Sequence, residues 1–112
     1  MINGRIALIK GVCMIVKIHK KDGRTVVAVC DDDLFGQKIY EGELQLDLSS
    51  DFYRGTNYSD RVLVGDIMRN ADVLNVVGKV SVALALEEGL IEKSNIVLIQ
   101  GVPHAQAVVL HE

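Results

Sequence analysis

The sequence predicts an α+β fold: a mostly antiparallel sheet of about five or six strands with two helices packed on one face. Three observations predict it. Short runs rich in β-branched residues fill residues 14–47 and 95–110, and helical spacing is confined to residues 60–88 between them. Strands, then helices, then strands is the order of an α+β chain rather than of alternating βαβ units. The third is size and composition. A chain of 112 residues, 49% apolar and 24% charged, suits one soluble core that needs no metal or disulfide staple.

Residues 14–19 and 24–30 are apolar, β-branched runs around the turn signal Lys20-Lys21-Asp22-Gly23, and together they read as a β-hairpin. Two registers are open. A four-residue turn places Cys13 opposite Cys30, in reach of a disulfide, whereas a two-residue Asp22-Gly23 turn sets them on a diagonal, too far apart. The alternative to a disulfide is two free buried thiols. Asp31-Asp32-Asp33 then cap a short helical turn that Gly36 ends. Residues 37–40 and 43–47 are short strands, the second marked by Leu44, Leu46 and Leu48 alternating with polar residues. The polar stretch 49–59 is a loop that Phe52 and Tyr53 anchor on the core.

Ser59 or Asp60 caps a helix reaching about residue 70, with Val62, Leu63, Ile67 and Met68 as its buried stripe and Arg61 and Arg69 outside. Gly65 weakens it by about 1 kcal/mol. Residues 71–75 are ambiguous between strand and linker. Residues 75–88 read as a buried helix on the spacing of Val76, Val80, Ala83 and Leu84, with Asn75 as N-cap and Gly89 as the stop. The last strands are 95–100 and 105–110, joined by a tight connection at 101–104. Pro103 cannot donate to a ladder, so it belongs in the turn or at a sheet edge.

Lys10 interrupts the apolar run of residues 1–13, no small-residue cleavage pattern follows, and no stretch approaches the ~20 apolar residues that span a bilayer. A cytoplasmic protein without a membrane partner is expected, and two cysteines fit a reducing compartment. Met14 opens like a first strand. One reading takes it as the natural start, with 1–13 an N-terminal extension to a single domain at 14–112; the other lets the apolar segment add a strand or short helix.

The net charge is −3 but unevenly placed. Residues 1–24 carry six basic groups against Asp22 alone, and the remaining 88 residues carry six basic and fourteen acidic groups. Whole-protein steering toward nucleic acid is not implied. A local basic hairpin is, although charged hairpin tips are also simply soluble. No tryptophan and only five aromatics exclude a surface built mainly on aromatic stacking.

Catalytic signatures are sparse. No Cys-x-x-Cys or His-x-x-x-His spacing is present, and the calcium-loop-like start at Asp31-x-Asp33 fails at Phe35 and Gly42, so neither metal nor cofactor is expected. Cys30 beside three acids has a raised thiol pKa, the opposite of activation. No nucleophile elbow, Walker loop or dinucleotide fingerprint occurs. Two weaker constellations remain. Asn75, Gly78 and Lys79 put an amide, a glycine and a lysine at a helix start, where free N–H groups receive either an anion or an ordinary cap. His104 and Gln106 sit on a stiff turn, where they either read a ligand edge or face water.

Val-Ala-Val-Cys-Asp at 27–31, Gly-Gln-Lys with Tyr-Glu-Gly at 36–42, Asp-Phe-Tyr-Arg-Gly at 51–55, Asn-Val-Val-Gly at 75–78, Glu-Gly-Leu at 88–90 and Gly-Val-Pro-His-Ala-Gln at 101–106 occur in this order. Together they resemble the small archaeal family catalogued as domain of unknown function 424, over roughly residues 14–106. The resemblance implies an archaeal, intracellular protein and supplies no reaction. It ranks Asn75, Gly78, Pro103, His104 and Gln106 above other surfaces. The chain departs from the family pattern in its first 13 residues and in a tail after Gln106.

Two functions follow. The leading one is a non-catalytic binding or accessory module with an RNA or protein partner, RNA- or translation-linked, acting through Lys17, His19, Lys20, Lys21 and Arg24. Its rival is a small enzyme or anionic-ligand-binding protein using Asn75, Gly78, Lys79, His104 and Gln106, which must then converge in one pocket.

Overall fold

A computed structural model describes residues 13–111. The proposed extension lies outside the described residues, apart from Cys13. β1 (Met14–Lys21) and β2 (Arg24–Asp31) form the expected hairpin. Asp22 and Gly23 both have positive φ, 54° and 76°, the two-residue turn whose twist matches that of the strands. Met14 therefore faces Asp31, and Cys30 faces Ile15 rather than Cys13. The tighter register holds and both cysteines are free, Cys30 buried and Cys13 half-buried.

The fold class is α+β as predicted. Six strands form one sheet in the order β5-β1-β2-β6-β8-β7, with β5 (Thr56–Tyr58), β6 (Val73–Val77), β7 (Val97–Ile99) and β8 (Val102–Val108). Every pair is antiparallel except β2 and β6. β3 (Lys38–Glu41) and β4 (Leu44–Asp47) make a separate ribbon. α1 (Arg61–Arg69) and α2 (Lys79–Glu87) lie on one face, where Val64, Met68, Val82 and Ala85 pack on Val27, Val29, Leu74 and Val76. On the other face the ribbon sets Ile39 and Leu46 against Ala28, Cys30 and Val77. Strand alternation sends neighbouring residues of β2 and β6 into the two different cores.

Several local expectations change. Asp60 caps α1 by accepting from the backbone of Val62 and Leu63. The buried stripe, however, is Val64, Gly65 and Met68, while Val62 and Leu63 are exposed. Gly65 faces the end of α2, where a Cβ would lie 2.6 Å from the Glu88 carboxylate. Arg61 and Arg69 lie outside, paired with Glu87 and with Glu88 and Asp66. The stretch 49–59 contains a 3-10 turn at Asp51–Tyr53 and the edge strand β5.

The predicted helix from Asn75 starts at Lys79 instead, and Asn75 is a strand residue. β6 is central and apolar on both faces, so its hydrophobic run carries no period that separates strand from helix. Likewise β8 begins at Val102, after a turn of only Gln100 and Gly101, and so takes in Pro103 and His104. Pro103 is neither in the turn nor on an edge strand. Its carbonyl accepts from the Gly78 N–H at 2.9 Å, just past the end of β6, so its missing N–H costs no ladder bond there.

The cap of α2 comes from far away in sequence. The Asp31 carboxylate accepts from the backbone N–H groups of Val80 (3.0 Å) and Ser81 (2.8 Å) and from the Ser81 hydroxyl (2.7 Å). It makes no side-chain cap on the turn that follows it, Asp32–Leu34. Gly78 makes room: its φ is 106°, and a Cβ there would lie 2.3 Å from the Asp31 carboxyl carbon.

Asp31→Ala should lower the unfolding free energy by roughly 2–4 kcal/mol, because it strips a charged cap and leaves donors unpaired. Asp31→Asn should cost less. Gly78→Ala should also destabilise, and by less once Asp31 is alanine. Urea denaturation compares these four variants with the wild type; an unchanged midpoint for Asp31→Ala contradicts the cap.

Candidate functional site

The sheet registers decide which side chains share a surface. His19 faces Val26, Lys17 faces Ala28 and Lys21 faces Arg24 across β1 and β2. Val26, Ala28 and Cys30 lie beside Val73, Asn75 and Val77 of β6, which lie beside Val108, Gln106 and His104 of β8. Alternation therefore places Lys17, His19, Lys21, Arg24, Asn75, His104 and Gln106 on the face opposite the helices. Lys20 points to the other face. The sheet surface thus carries Lys17, His19, Lys21 and Arg24 of one group singled out from the sequence and Asn75, His104 and Gln106 of the other.

The 3-10 turn at Asp51–Tyr53 settles on the β1 end of that surface. Gly55 lets this segment cross β1 closely, since a Cβ there would sit 2.0 Å from the Val16 carbonyl oxygen. Phe52 stacks on His19 with centroids 4.7 Å apart and planes 12° apart. The His19 Nε2–H donates to the Phe52 carbonyl at 3.0 Å, which fixes ring and tautomer. Tyr53 meets Phe52 edge-on, and its hydroxyl donates to Asn75 Oδ1 at 2.7 Å. Burial pushes the Tyr53 phenol well above its usual range. Arg54 reaches over Phe35, 5.6 Å from the ring centroid, and pairs with Asp51.

The result is an open depression of about 630 Å³ lined by Lys17, His19, Asp51, Phe52 and Arg54. Lys21 and Arg24 extend its basic rim to the hairpin tip. Phe52 and Arg54 were missed as site residues. The available signal was an aromatic pair followed by arginine inside an otherwise polar loop.

The rival constellation is split. Gly78 and Lys79 line a cleft of about 290 Å³ with Gly101, Val102, Pro103, Asp31 and Asp33. Asn75, His104 and Gln106 do not line it. Asn75 is buried under Tyr53, and Gln106 is exposed beside it on β8. The Asp31 carboxylate already holds two helix N–H groups that an anion would use.

His104 is half-buried, and its Nε2 is enclosed without a hydrogen-bond partner. Burial lowers its pKa from the ordinary 6.5 and favours the neutral ring. Burial, and then Asp31, Asp33 and Asp32, push the Cys30 thiol up to about 12, so no thiolate forms near neutral pH. Among the described residues no three His, Cys, Asp or Glu side chains gather to hold a metal, and no helix is long and apolar enough to cross a membrane.

The lowered His104 pKa makes stability pH-dependent. Below pH 6.5 the unfolded chain binds this proton more readily than the folded one, so stability falls as pH falls. His104→Leu removes that loss. The variant's stability relative to wild type should rise toward pH 5, by at most about 1.4 kcal/mol per pH unit. Urea titrations at several pH values test this, and a pH-independent difference contradicts it.

No curated protein matches the sequence at a significant level. The structure is similar to the crystal structure of an uncharacterized conserved protein from Methanopyrus kandleri, with a TM-score of 0.76 and 25% sequence identity over 89% of this chain and 94% of that one. The family described as protein of unknown function (DUF424) matches residues 19–110, which takes in most of the tail after Gln106, a segment the sequence resemblance leaves outside the family pattern. This match begins at His19, within β1, and takes in the other strands and both helices; on it the chain belongs to the DUF424 family.

Proposed function

We propose that this protein is a non-catalytic RNA-binding module, an accessory component of translation-linked assemblies in an archaeal cytoplasm. One observation carries the reading. Lys17 and Arg54 line a depression whose wall is a stacked ring pair, and Lys21 and Arg24 lie on the same sheet face toward the hairpin tip. Asp22 and Asp51 only partly offset these cations. The Arg54–Asp51 pair is solvent-exposed and cheap to exchange for a phosphate.

Lysines on the open edge of β1 also guard it against strand pairing. That role alone predicts no RNA affinity. The enzyme or anion-binding reading needs its five residues in one pocket, and they divide between a cleft and the sheet face. A protein partner on the same face is the outcome if binding in a pull-down survives nuclease.

With about four phosphate contacts, log K for single strands should fall against log salt with a slope of about −3. Fluorescence anisotropy with labelled RNA between 50 and 200 mM salt should show this. Lys21→Glu with Arg24→Glu, both at the exposed hairpin tip, should weaken binding at least tenfold and flatten the slope. Salt-independent binding, or none at 50 mM salt, contradicts the reading.

A further inference from the structure

We infer that the RNA taken by this face is single-stranded, with an unpaired base stacked at the His19–Phe52 pair; this rests on the RNA-binding reading above. Three observations carry the inference. The first is where the cations concentrate. Lys17 and Lys21 lie four residues apart on one strand, about 13 Å; Arg24 faces Lys21 at the hairpin tip and Arg54 borders the depression beside Lys17. Farther along, the sheet end and the ribbon carry Asp32, Asp33, Glu41, Glu43 and Asp47 against Lys38. A duplex is stiff, and proteins that read its shape contact two successive minor grooves over about 16 base pairs. Laid through this basic end, it would run onto those carboxylates. A short flexible strand can bind the cations and turn away.

The second observation is the ring pair. His19 is held parallel to Phe52 and hydrogen-bonded to its backbone, so the platform is formed before any ligand arrives. It lines the depression directly beside Lys17 and Arg54. Duplex bases are already stacked on each other and cannot use it. Splayed bases of single strands stack on such rings, histidine included. One stacking position with a cationic rim also fits a chain poor in aromatics: charge supplies most of the affinity and one base supplies the discrimination.

The third is what lies past the rings. The row His19–Val26–Val73–Val108 crosses four strands, and Val108 is 70% exposed, with exposed Gln106 next to it on the same face. An emerging strand meets apolar surface there and no carboxylate from this row.

The test compares one RNA oligonucleotide of about 12 nucleotides with its own duplex, by anisotropy at the same salt on the wild-type chain. The single strand should bind at least tenfold more tightly, the scale of one base stack. A 2-aminopurine in the single strand should change its fluorescence on binding. Phe52→Leu keeps apolar packing and removes the ring; it should erase most of that tenfold difference and the fluorescence change while leaving the salt slope and, by melting curve, the fold. Equal affinity for both forms, with a normal salt slope, overturns this inference and leaves the RNA reading standing. No salt-dependent binding of either form overturns the RNA reading itself.

Discussion

The last residue of β2 and the first turn of α2 are tied by one carboxylate. Asp31 neutralises the positive end of that helix and satisfies a buried hydroxyl, across a separation of 49 and 50 residues. The bond is feasible only because Gly78 has no side chain and holds a φ of 106°. Gly78 in turn donates to Pro103, which brings the start of β8 to the same place. Four chain segments meet there, at the ends of the parallel strands β2 and β6. The meeting commits α2 to one face of the sheet. It also uses up the helix terminus that would otherwise invite an anion.

With both helices on one face, the opposite face is left to the ribbon and to a short turn. The ribbon covers the end near Cys30 and Val77, and the turn at Asp51–Tyr53 covers the middle. What stays open is the β1–β2 hairpin end, where the cations are. The acidic majority of the chain is elsewhere. This separation of charge, more than any single residue, makes one end of the sheet face suitable for a polyanion while the whole protein remains acidic.

Much of this was legible in sequence because it is local. The hairpin followed from β-branched runs around Asp22-Gly23, α1 from its Asp60 cap, and the basic residues from simple position. What was not legible depends on distant partners. β6 was ambiguous because a central strand buried on both sides carries no alternation. Asn75 looked like a cap because Val76, Val80, Ala83 and Leu84 keep a helical spacing straight through the bend at Gly78. The true cap, Asp31, leaves no local trace. β5 is three residues long and depends on the edge of β1. The basic hairpin was visible as half of the candidate site. Phe52 was not, since it reaches His19 only through a contact spanning 33 residues, and neither was Arg54, which that same turn carries to the depression.

The most direct test of one functional face is an amide chemical-shift map recorded while a short single-stranded RNA is added to the full chain. The account predicts that the shifts gather at Lys17, His19, Lys21, Arg24, Phe52 and Arg54, with the Asp31–Ser81 cap and the outer surface of α1 unmoved. Shifts centred on Lys79 and Gly101 through Pro103, or spread evenly over the molecule, contradict it.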